Sequence, residues 1–466
     1  MPELPEVETI RNVLKPIVIG RKITSIDVLR KSTIVGEATT FVDTLKNETF
    51  LDITRIGKFL IFHLTNNKVF ISHLRMEGKY FDYLENEPDS KYARVVFHFD
   101  NNHKLCYDDS RCFGMMKLSN ESSFLKEKEI SKLGPEPFFI HDETYLYNKY
   151  KRINKPIKSV LLDQEIMTGL GNIYVDEVLF STHIHPLTPA KMLTKEDCKN
   201  IIKESQRILN RAIKEGGSTI RSYHPGKDID GNFQTLLLAY GHKDEPCPNC
   251  GHIMRFKKVG GRGSTYCPIC QKKLGAPLKV AIYGKIASGK STVLEEFASL
   301  GLPTISSDKI VHDLYQKKEV INKINEMFNF KGDELDLSLL RETVASDYKK
   351  AKKLERYIHP LVKKELIRFM EENKEISICE VPLLYESKMD DLFDYIIAVD
   401  INEKNQKERL MSRDPLYYEK MMKINQSSKF DDNKNKADYI IHNDFDIKTL
   451  KKEIKGIFNT LQSRLK

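Results

Sequence analysis

The 466-residue chain has no apolar run long enough to cross a bilayer. Its longest apolar stretches, such as Tyr395–Val399, fall far short of the ~20 residues that a spanning helix requires. The beginning, Met-Pro-Glu-Leu-Pro-Glu-Val-Glu, is acidic and lacks the apolar segment of a secretory signal. No internal repeat is visible, so the chain is not one unit duplicated. These absences lead us to expect a soluble, cytoplasmic protein with no membrane partner. Apolar residues make up 40% and charged residues 30%, which excludes global disorder. At roughly 100–200 residues per domain the length implies two to four units.

Acidic residues are missing from one stretch in particular. Residues 246–277 carry six basic side chains (Arg255, Lys257, Lys258, Arg262, Lys272, Lys273) and no acid. Over the whole chain 75 Lys and Arg oppose 66 Asp and Glu, a net +9. Residues 1–277 hold 41 basic and 34 acidic side chains, against 34 and 32 in residues 278–466. The excess therefore gathers in the first part, as suits a polyanion such as nucleic acid.

Residues 5–19 read as a helix with Val7, Ile10 and Leu14 on one face. From about 22 to 118 short alternating segments follow, among them Lys22–Leu29, Phe59–Leu64, Val69–His73, Arg94–Phe99 and Lys104–Tyr107, which predict an antiparallel β-sandwich or barrel. Helical periodicity is expected over 156–168, 173–182 and 194–215. After Gly275-Ala276-Pro277 the pattern changes. Strands at Lys279–Tyr283, Pro303–Ser306, Ile376–Val381, Tyr395–Val399 and Tyr439–His442 alternate with helices at 290–300, 349–372, 403–412 and 446–464, which predicts a parallel α/β sheet. The expected boundaries are a β-sandwich over 1–130, a helical domain over 131–245, a metal module over 246–272, a linker over 273–278 and an α/β domain over 279–466.

Four of the eight cysteines (Cys106, Cys112, Cys198, Cys379) are scattered like ordinary reduced thiols. The other four, Cys247, Cys250, Cys267 and Cys270, form Cys-x2-Cys-x16-Cys-x2-Cys. Such spacing lets two tight knuckles converge four thiolates on one zinc ion. With every ligand position filled by protein, the Zn2+ is structural. Two separate redox dithiols would need oxidoreductase-like surroundings, and none are evident. The metal would hold a hairpin with Arg262 near its tip, in Gly260-Gly261-Arg262-Gly263.

Proline stands second, and methionine before a small residue is normally removed. The mature chain would then start with a secondary amine. An α-amino group titrates near ~8, so part of it is neutral at physiological pH. Attack on a carbon at the aldehyde oxidation level would give an iminium, an electron sink for elimination. Glu3 and Glu6 lie close by for proton transfer, though acids there equally suit the dipole of a helix start.

Pro2-Glu-Leu-Pro-Glu-Val-Glu8, Arg55-Ile-Gly-Lys58-Phe, His73-Leu-Arg-Met76-Glu-Gly, Asp109-Ser-Arg111-Cys-Phe113-Gly, Gly169-Leu-Gly-Asn172-Ile-Tyr and Ala239-Tyr240-Gly occur in this order before the cysteines. Together they resemble formamidopyrimidine-DNA glycosylase over the first ~272 residues, and the Leu4-Pro5 form resembles that family rather than its endonuclease VIII relatives. The resemblance implies a β-sandwich, a helix–two-turns–helix domain and a zinc finger, with double-stranded DNA containing oxidised purines as partner. It implies Pro2 as the nucleophile at C1′, Glu3 as acid and base at the sugar, Lys58 in β-elimination and phosphate contact, and Arg262 in δ-elimination. Met76, Arg111 and Phe113 would fill the gap left by the extruded nucleotide, since an apolar wedge and an Arg offset part of the unstacking cost. His73, Arg152, Lys158, Asn172 and Tyr240 complete the implied DNA-binding set. Tyr92 stands where the family often has a histidine. Residues 218–234 are similar to the family's loop over the flipped base.

Gly284-Lys285-Ile286-Ala287-Ser288-Gly289-Lys290-Ser291, followed by Thr292, fits the phosphate-loop pattern with a strand before it and a helix after it. Backbone amides would cradle ATP phosphates, Lys290 would reach the β and γ oxygens, and Ser291 would ligate Mg2+. Asp308, after the second strand, is the candidate base; it equally suits a cap for a helix at Lys309–Tyr315. With Ser306-Ser307-Asp308, Ile358-His359-Pro360-Leu361, Val381-Pro382-Leu383-Leu384-Tyr385-Glu386, Arg409-x3-Arg413-Asp414 and Ala437-Asp438-Tyr439, residues 278–466 resemble dephospho-coenzyme A kinase. That implies dephospho-CoA as acceptor, Asp308 as base, and Arg409, Arg413 and the lysines near 434–436 in a lid. Lys285 and Ala287 replace glycines usual in the family, and Ser306 replaces an aspartate. His359-Pro360 belongs to the resemblance, and equally such a pair often only ends a helix.

The expected fold is thus multidomain, α+β then α/β, and the expected function a monomeric fusion of a DNA glycosylase/lyase with a coenzyme A kinase. Two alternatives stay open: a lesion-binding module without catalysis in the first half, and a kinase for another small molecule in the second.

Overall fold

The computed structural model describes residues 2–218, 232–271, 273–413 and 430–465. The chain forms two compact units, Met1–Lys243 with Lys258–Tyr266, and Asp244–Lys257 with Cys267–Lys466.

The first unit begins with the helix Leu4–Val18, whose Val7, Ile10, Leu14 and Val18 are buried at the heptad-like spacing seen in the sequence. Two sheets follow. β1 (Ile23–Val28), β7 (Ala93–Phe99), β8 (His103–Asp108) and β6 (Lys79–Leu84) make one, in the order β1-β7-β8-β6. β2 (Ile34–Val35), β9 (Met115–Asn120), β5 (Lys68–His73), β4 (Phe59–Leu64) and β3 (Phe50–Ile56) make the other, in the order β2-β9-β5-β4-β3. All these pairings are antiparallel except β2 with β9. The facing sides bury phenylalanines: Phe62 stacks on Phe70 at 4.4 Å and Phe70 on Phe97 at 5.5 Å. Offset ring pairs add to area burial, and they fill a core in a chain without tryptophan.

The helical part differs from the sequence reading at one place. Periodicity over 156–168 predicts a long helix, but only Ile157–Leu161 is helical, and the chain then turns through Asp163–Leu170. Gly169 has φ +105°, in the left-handed region that favours glycine, and a Cβ there would lie 2.5 Å from Leu4 Cδ1. The turn is thus pressed against the chain start, where the Leu4 N–H donates to the Gly169 carbonyl at 3.1 Å. The helices Asn172–Ser181 and Lys195–Lys214 follow.

In the second unit β12 (Leu278–Gly284), β13 (Thr304–Ser306), β14 (Ile376–Glu380), β15 (Tyr395–Asp400) and β16 (Tyr439–His442) form one parallel sheet, in the order β13-β14-β12-β15-β16. Helices Lys290–Ser299 and Ile447–Ser463 cover one face, and helices including Ser307–Leu314 and Tyr348–Glu372 cover the other. Both faces are buried, so the strands read as near-continuous apolar runs. Pro360 lies inside the helix Tyr348–Glu372, close to the span expected over 349–372. Within the expected linker Lys273 is buried with its ammonium 2.6 Å from Asp394, and the Gly275 N–H donates to the Arg464 carbonyl. Among the described residues no helix is long and apolar enough to cross a membrane.

Candidate active sites and zinc module

At the start of the first unit Pro2 and Glu3 are buried; Met1 lies outside the described residues. Glu3 Oε2 accepts the Gly171 N–H at 2.6 Å and Oε1 accepts the Ile173 N–H at 2.9 Å, at the amino end of the helix Asn172–Ser181. A Cβ on Gly171 would come 2.3 Å from Glu3 Cδ, so only glycine admits this carboxylate. Burial pushes the Glu3 pKa up to about 7, against the lowering influence of Lys58 and the helix amides. Lys58, also buried, donates to the Leu170 carbonyl at 2.7 Å, and its pKa is lowered, first by burial. An acid poised near neutrality beside a buried amine is a proton-transfer arrangement.

Glu6 plays another part than proton transfer. Its carboxylate accepts the Glu3 N–H at 2.8 Å, the Tyr174 hydroxyl at 2.5 Å, and the Ser218 N–H and hydroxyl, each at 2.9 Å. It is a buried strut under the helix start. The segment that follows Ser218, residues 219–231, lies outside the described residues, and the loop expected over the base lies largely within it.

His73 is buried at the end of β5, with Nδ1 accepting the Arg75 N–H at 2.9 Å. Burial, then the positive charges of Arg75 and Lys58, pulls its pKa down to about 3, so it is neutral at physiological pH. The three wedge residues meet. Arg111 approaches Met76 Sδ at 3.2 Å and lies over the Phe113 ring at 5.0 Å, while Met76 and Phe113 are 38% and 55% exposed. Exposed apolar side chains around one guanidinium are what insertion into a base stack needs. The loop that carries Arg111 and Phe113 hangs from Asp109, to which the sequence analysis assigns no role. Its carboxylate accepts the N–H groups of Arg111, Phe113 and Gly114 at 2.7–2.9 Å. Tyr92 is exposed, and its carbonyl accepts the Asp109 N–H. Arg152 is exposed in the turn after the helix Thr144–Tyr150.

Lys158 departs from its expected role. It is fully buried, and its ammonium is held by Asp176 at 2.7 Å and by the Gly263 carbonyl at 2.5 Å. A cation so enclosed positions the finger tip rather than meeting a phosphate. Asp176 also takes the Ser264 hydroxyl at 2.8 Å and the Thr265 N–H at 3.0 Å. Its neighbour Glu177 accepts the N–H groups of Leu238, Ala239 and Tyr240 at 2.8–2.9 Å and so places Tyr240. The sequence signal for both was present: two adjacent acids inside an apolar helix. Asn172 Oδ1 is buried without a hydrogen-bond partner. Arg262 is exposed beside Gly260 and Gly261, both at positive φ.

The finger's two strands are β10 (Arg255–Val259) and β11 (Arg262–Tyr266); Arg255–Lys257 fall in the second unit and Lys258–Tyr266 in the first. All four cysteines fall in the second unit. Their Sγ atoms lie within 4.8 Å of one another, with Cys247–Cys270 at 3.9 Å and Cys250–Cys267 at 3.5 Å. Four thiolates ~2.3 Å from one zinc would stand about 3.8 Å apart. The set fits Zn2+.

In the second unit the phosphate loop joins β12 to the helix Lys290–Ser299. Lys290 donates to the Lys285 carbonyl at 2.9 Å. Gly289 has φ +94°, and a Cβ there would meet Asn443 Nδ2 at 2.1 Å. Asn443 donates to the Ser288 carbonyl at 2.8 Å, and Gln406 to that of Ile286 at 2.8 Å, so both hold the loop. Ala287 has φ +62°, strained for any side chain. Lys285 pairs with Asp431 at 2.6 Å and lies over the Phe430 ring. A 390 Å3 cavity opens here, lined by Gly289, Lys290, Ser291, Thr292, Arg409 and Asn443 among others. Arg409 donates to the Asn443 carbonyl at 3.0 Å. The side chain of Arg413 and residues 414–429 lie outside the described residues, so that part of the expected lid does too. Lys434 pairs with Asp400 at 2.9 Å.

Asp308 is exposed in the first turn of Ser307–Leu314, but it is not the cap: Ser306 is, accepting the Asp308 N–H at 3.3 Å. Ser306 and Glu380 share one register level at the carboxyl ends of β13 and β14, where ligands bind in open parallel sheets. Sequence reading passed over Glu380. It is buried 3.5 Å from the Ser291 hydroxyl, with a pKa raised by burial against the pull of Lys290. Ser291 and Glu380 together offer hard oxygen ligands, which suit Mg2+.

Fold and sites together define a base-excision DNA repair enzyme joined to a P-loop kinase. The N-terminal domain family of formamidopyrimidine-DNA glycosylase matches residues 1–116, its H2TH domain family 133–224, the zinc finger found in FPG and IleRS 244–273, and the dephospho-CoA kinase family 278–449. Formamidopyrimidine-DNA glycosylases of Bacillus cereus and Mycoplasma mobile are 44% and 41% identical over 277 and 273 residues, covering 59% and 58% of this chain and 100% and 99% of theirs. Lactococcus lactis Fpg bound to DNA containing an abasic site is similar at 37% identity and TM-score 0.55, over 58% of this chain and all of that one. An FPG mutant from the same organism bound to Fapy-dG DNA reaches 38% and 0.56 with the same coverage. The chain belongs to the formamidopyrimidine-DNA glycosylase family and carries a dephospho-CoA kinase domain behind it, a bifunctional fusion.

Proposed function

We propose that the first unit excises 8-oxoguanine and formamidopyrimidines from duplex DNA and cleaves the resulting abasic site. The observation that carries this reading is the convergence of Glu3 and Lys58 on the turn against which the chain start is packed. With Met1 removed, the Pro2 nitrogen would bond to C1′ and give up its N–H proton, while the bond from C1′ to the base breaks, its electron pair leaving with the base, which takes up a proton. Glu3 would pass a proton to the sugar ring oxygen as the ring opens. The cationic iminium then draws electrons from C2′; a proton is lost there and the 3′ phosphate departs, followed by the 5′ phosphate in a second elimination. Lys58 and Arg262 would neutralise those leaving phosphates. Met76, Arg111 and Phe113 would hold the vacated stack.

The second unit would transfer the γ-phosphoryl group of ATP to the 3′-hydroxyl of dephospho-CoA. Lys290 and the loop amides would bind the β and γ phosphates, and Ser291 with Glu380 would hold Mg2+, which supplies charge neutralisation when bound. Asp308 would take the proton of the acceptor hydroxyl. Beside Asp308 a 290 Å3 cavity lined by His312, Tyr315, Leu340, Arg341 and Val344 would seat the acceptor. We place the protein in the cytoplasm, as a monomer.

Borohydride trapping on a duplex with 8-oxoguanine opposite cytosine should yield a covalent complex, with and without ATP and dephospho-CoA. Lys290→Ala should abolish phosphoryl transfer and leave trapping intact. No trapped complex, or equal loss of both activities in Lys290→Ala, would overturn the reading.

A further inference from the structure

The acid-free segment 246–277 reads in sequence as a surface for a polyanion, yet three of its six cations are spent inside the second unit. Arg255 donates to Asp438 Oδ2 at 2.7 Å and to the Lys436 carbonyl at 3.0 Å. Lys257 and Lys273 flank Asp394, at 3.4 Å from Oδ1 and 2.6 Å from Oδ2. The Asp394 and Asp438 side chains are 2% and 1% exposed. Carboxylates so deeply buried require cations or donors in contact.

Both aspartates sit immediately before strands, Asp394 before β15 and Asp438 before β16, at the edge of the sheet opposite the phosphate loop. Each also laces neighbouring strands together. Asp394 accepts the Lys279 N–H at 3.0 Å while its own N–H donates to the Lys279 carbonyl at 2.8 Å. Asp438 accepts the Ile396 N–H at 2.6 Å while its N–H donates to the Ile396 carbonyl at 2.9 Å. These two reciprocal pairs fasten the starts of β12, β15 and β16. The Lys273 N–H adds a bond to the Tyr395 hydroxyl at 3.3 Å.

The cations reach those carboxylates from a segment with little core of its own. One knuckle is closed by the Cys247 N–H to the His252 carbonyl and the Gly251 N–H to that of Cys247, the other by the Gln271 N–H to the Cys267 carbonyl. Arg255 and Lys257 lie between the two cysteine pairs and Lys273 just after the second. A four-thiolate zinc site cross-links the ends of such a segment and supplies most of its folding free energy.

We propose that the zinc module is a structural part of the kinase: metal held by Cys247, Cys250, Cys267 and Cys270 presents Arg255, Lys257 and Lys273 to Asp394 and Asp438, and so keeps the amino-terminal edge of the kinase sheet closed. Without metal the cations disperse, the two carboxylates take up water, and the strand starts they fasten loosen. The proposal does not depend on which acceptor the kinase uses.

Amide hydrogen exchange on the full-length protein, zinc-loaded and after removal of zinc by a chelator, tests it. Exchange of the Lys279 and Ile396 amides should accelerate about tenfold or more on zinc removal, with the Ile61 amide of β4 unchanged. Arg255→Met, shown by metal analysis to keep one zinc per chain, should accelerate Ile396 more than Lys279. If zinc leaves and the Cys247 and Gln271 amides exchange freely while Lys279 and Ile396 keep their protection, the proposal fails. It fails equally if Ile61 accelerates as much as they do.

Discussion

Glu3 and Lys58 grip the two sides of one peptide bond. Glu3 accepts the N–H of Gly171 at 2.6 Å, and Lys58 donates to the C=O of Leu170 at 2.7 Å. An acid and an amine 55 positions apart in sequence are thereby held at a fixed spacing by a backbone group that neither can displace without losing its own partner. Both are almost fully buried, so each hydrogen bond replaces water that is not there.

Removing the acid should separate the chemistry from the fold. Glu3→Gln keeps a carbonyl oxygen for the Gly171 amide but cannot transfer the proton. Base excision should fall by about 10²–10⁴-fold, measured in single turnover, while affinity for a lesion-containing duplex changes little. Gly171→Ala should lose excision by another route, since its Cβ would overlap Glu3 Cδ. Overpacking of this kind costs about 1–3 kcal/mol, to be read as a lower melting temperature of the first unit.

Two buried groups oppose each other in the pH dependence of stability. Glu3 is raised to about 7, so its stabilising contribution is complete below its unfolded value near 4.5 and is lost as pH rises through 7. His73 is lowered to about 3, so its contribution is complete above 6.5 and is lost as pH falls towards 3. Between pH 4.5 and 6.5 the two slopes cancel, each being about 1.4 kcal/mol per pH unit. Denaturant titrations of Glu3→Gln should show first-unit stability rising over that interval relative to wild type, and those of His73→Asn should show it falling.

Lys158 supports the finger tip and not DNA directly. Replacing it by methionine leaves Asp176 buried without its cation, a loss of about 3–5 kcal/mol. The salt dependence of DNA binding should keep its slope, whereas loss of a phosphate contact would reduce that slope by about 1. Arg262→Ala, at an exposed cation, should show the reverse pattern.

Ala287 pays for a left-handed backbone at φ +62°. Ala287→Gly should remove about 1–2 kcal/mol of strain and raise the melting temperature of the kinase half by about 2–4 °C per kcal/mol. Calorimetry with and without ATP checks it; a fall in melting temperature would mean that the alanine methyl packs more than it strains.

The chain's local patterns were sufficient for many of its elements and for two of its sites. Alternation placed β1, β4, β5, β7 and β8 to within a residue at each end, though it singled out none of β2, β3, β6 and β9; the cysteine spacing defined four ligands, and Gly284–Ser291 defined a phosphate loop, because each depends on residues close in sequence. Where a pattern served two purposes it misled. The periodicity over 156–168 belonged to a short helix and the turn that follows it. Tertiary structure alone decided which charged groups face inward and what they meet. The family resemblance makes Lys158 a phosphate ligand, yet Asp176 and Gly263 enclose it; Glu177 and Glu380 meet amide and hydroxyl partners from elsewhere in the chain, whereas Asp109 finds its partners within five residues. Charge count could not tell Arg255 and Lys257, which answer buried aspartates, from Arg262, which faces solvent. A side chain's solvation and ionisation depend on neighbours tens to hundreds of positions away, and only folding brings those neighbours within a few ångströms.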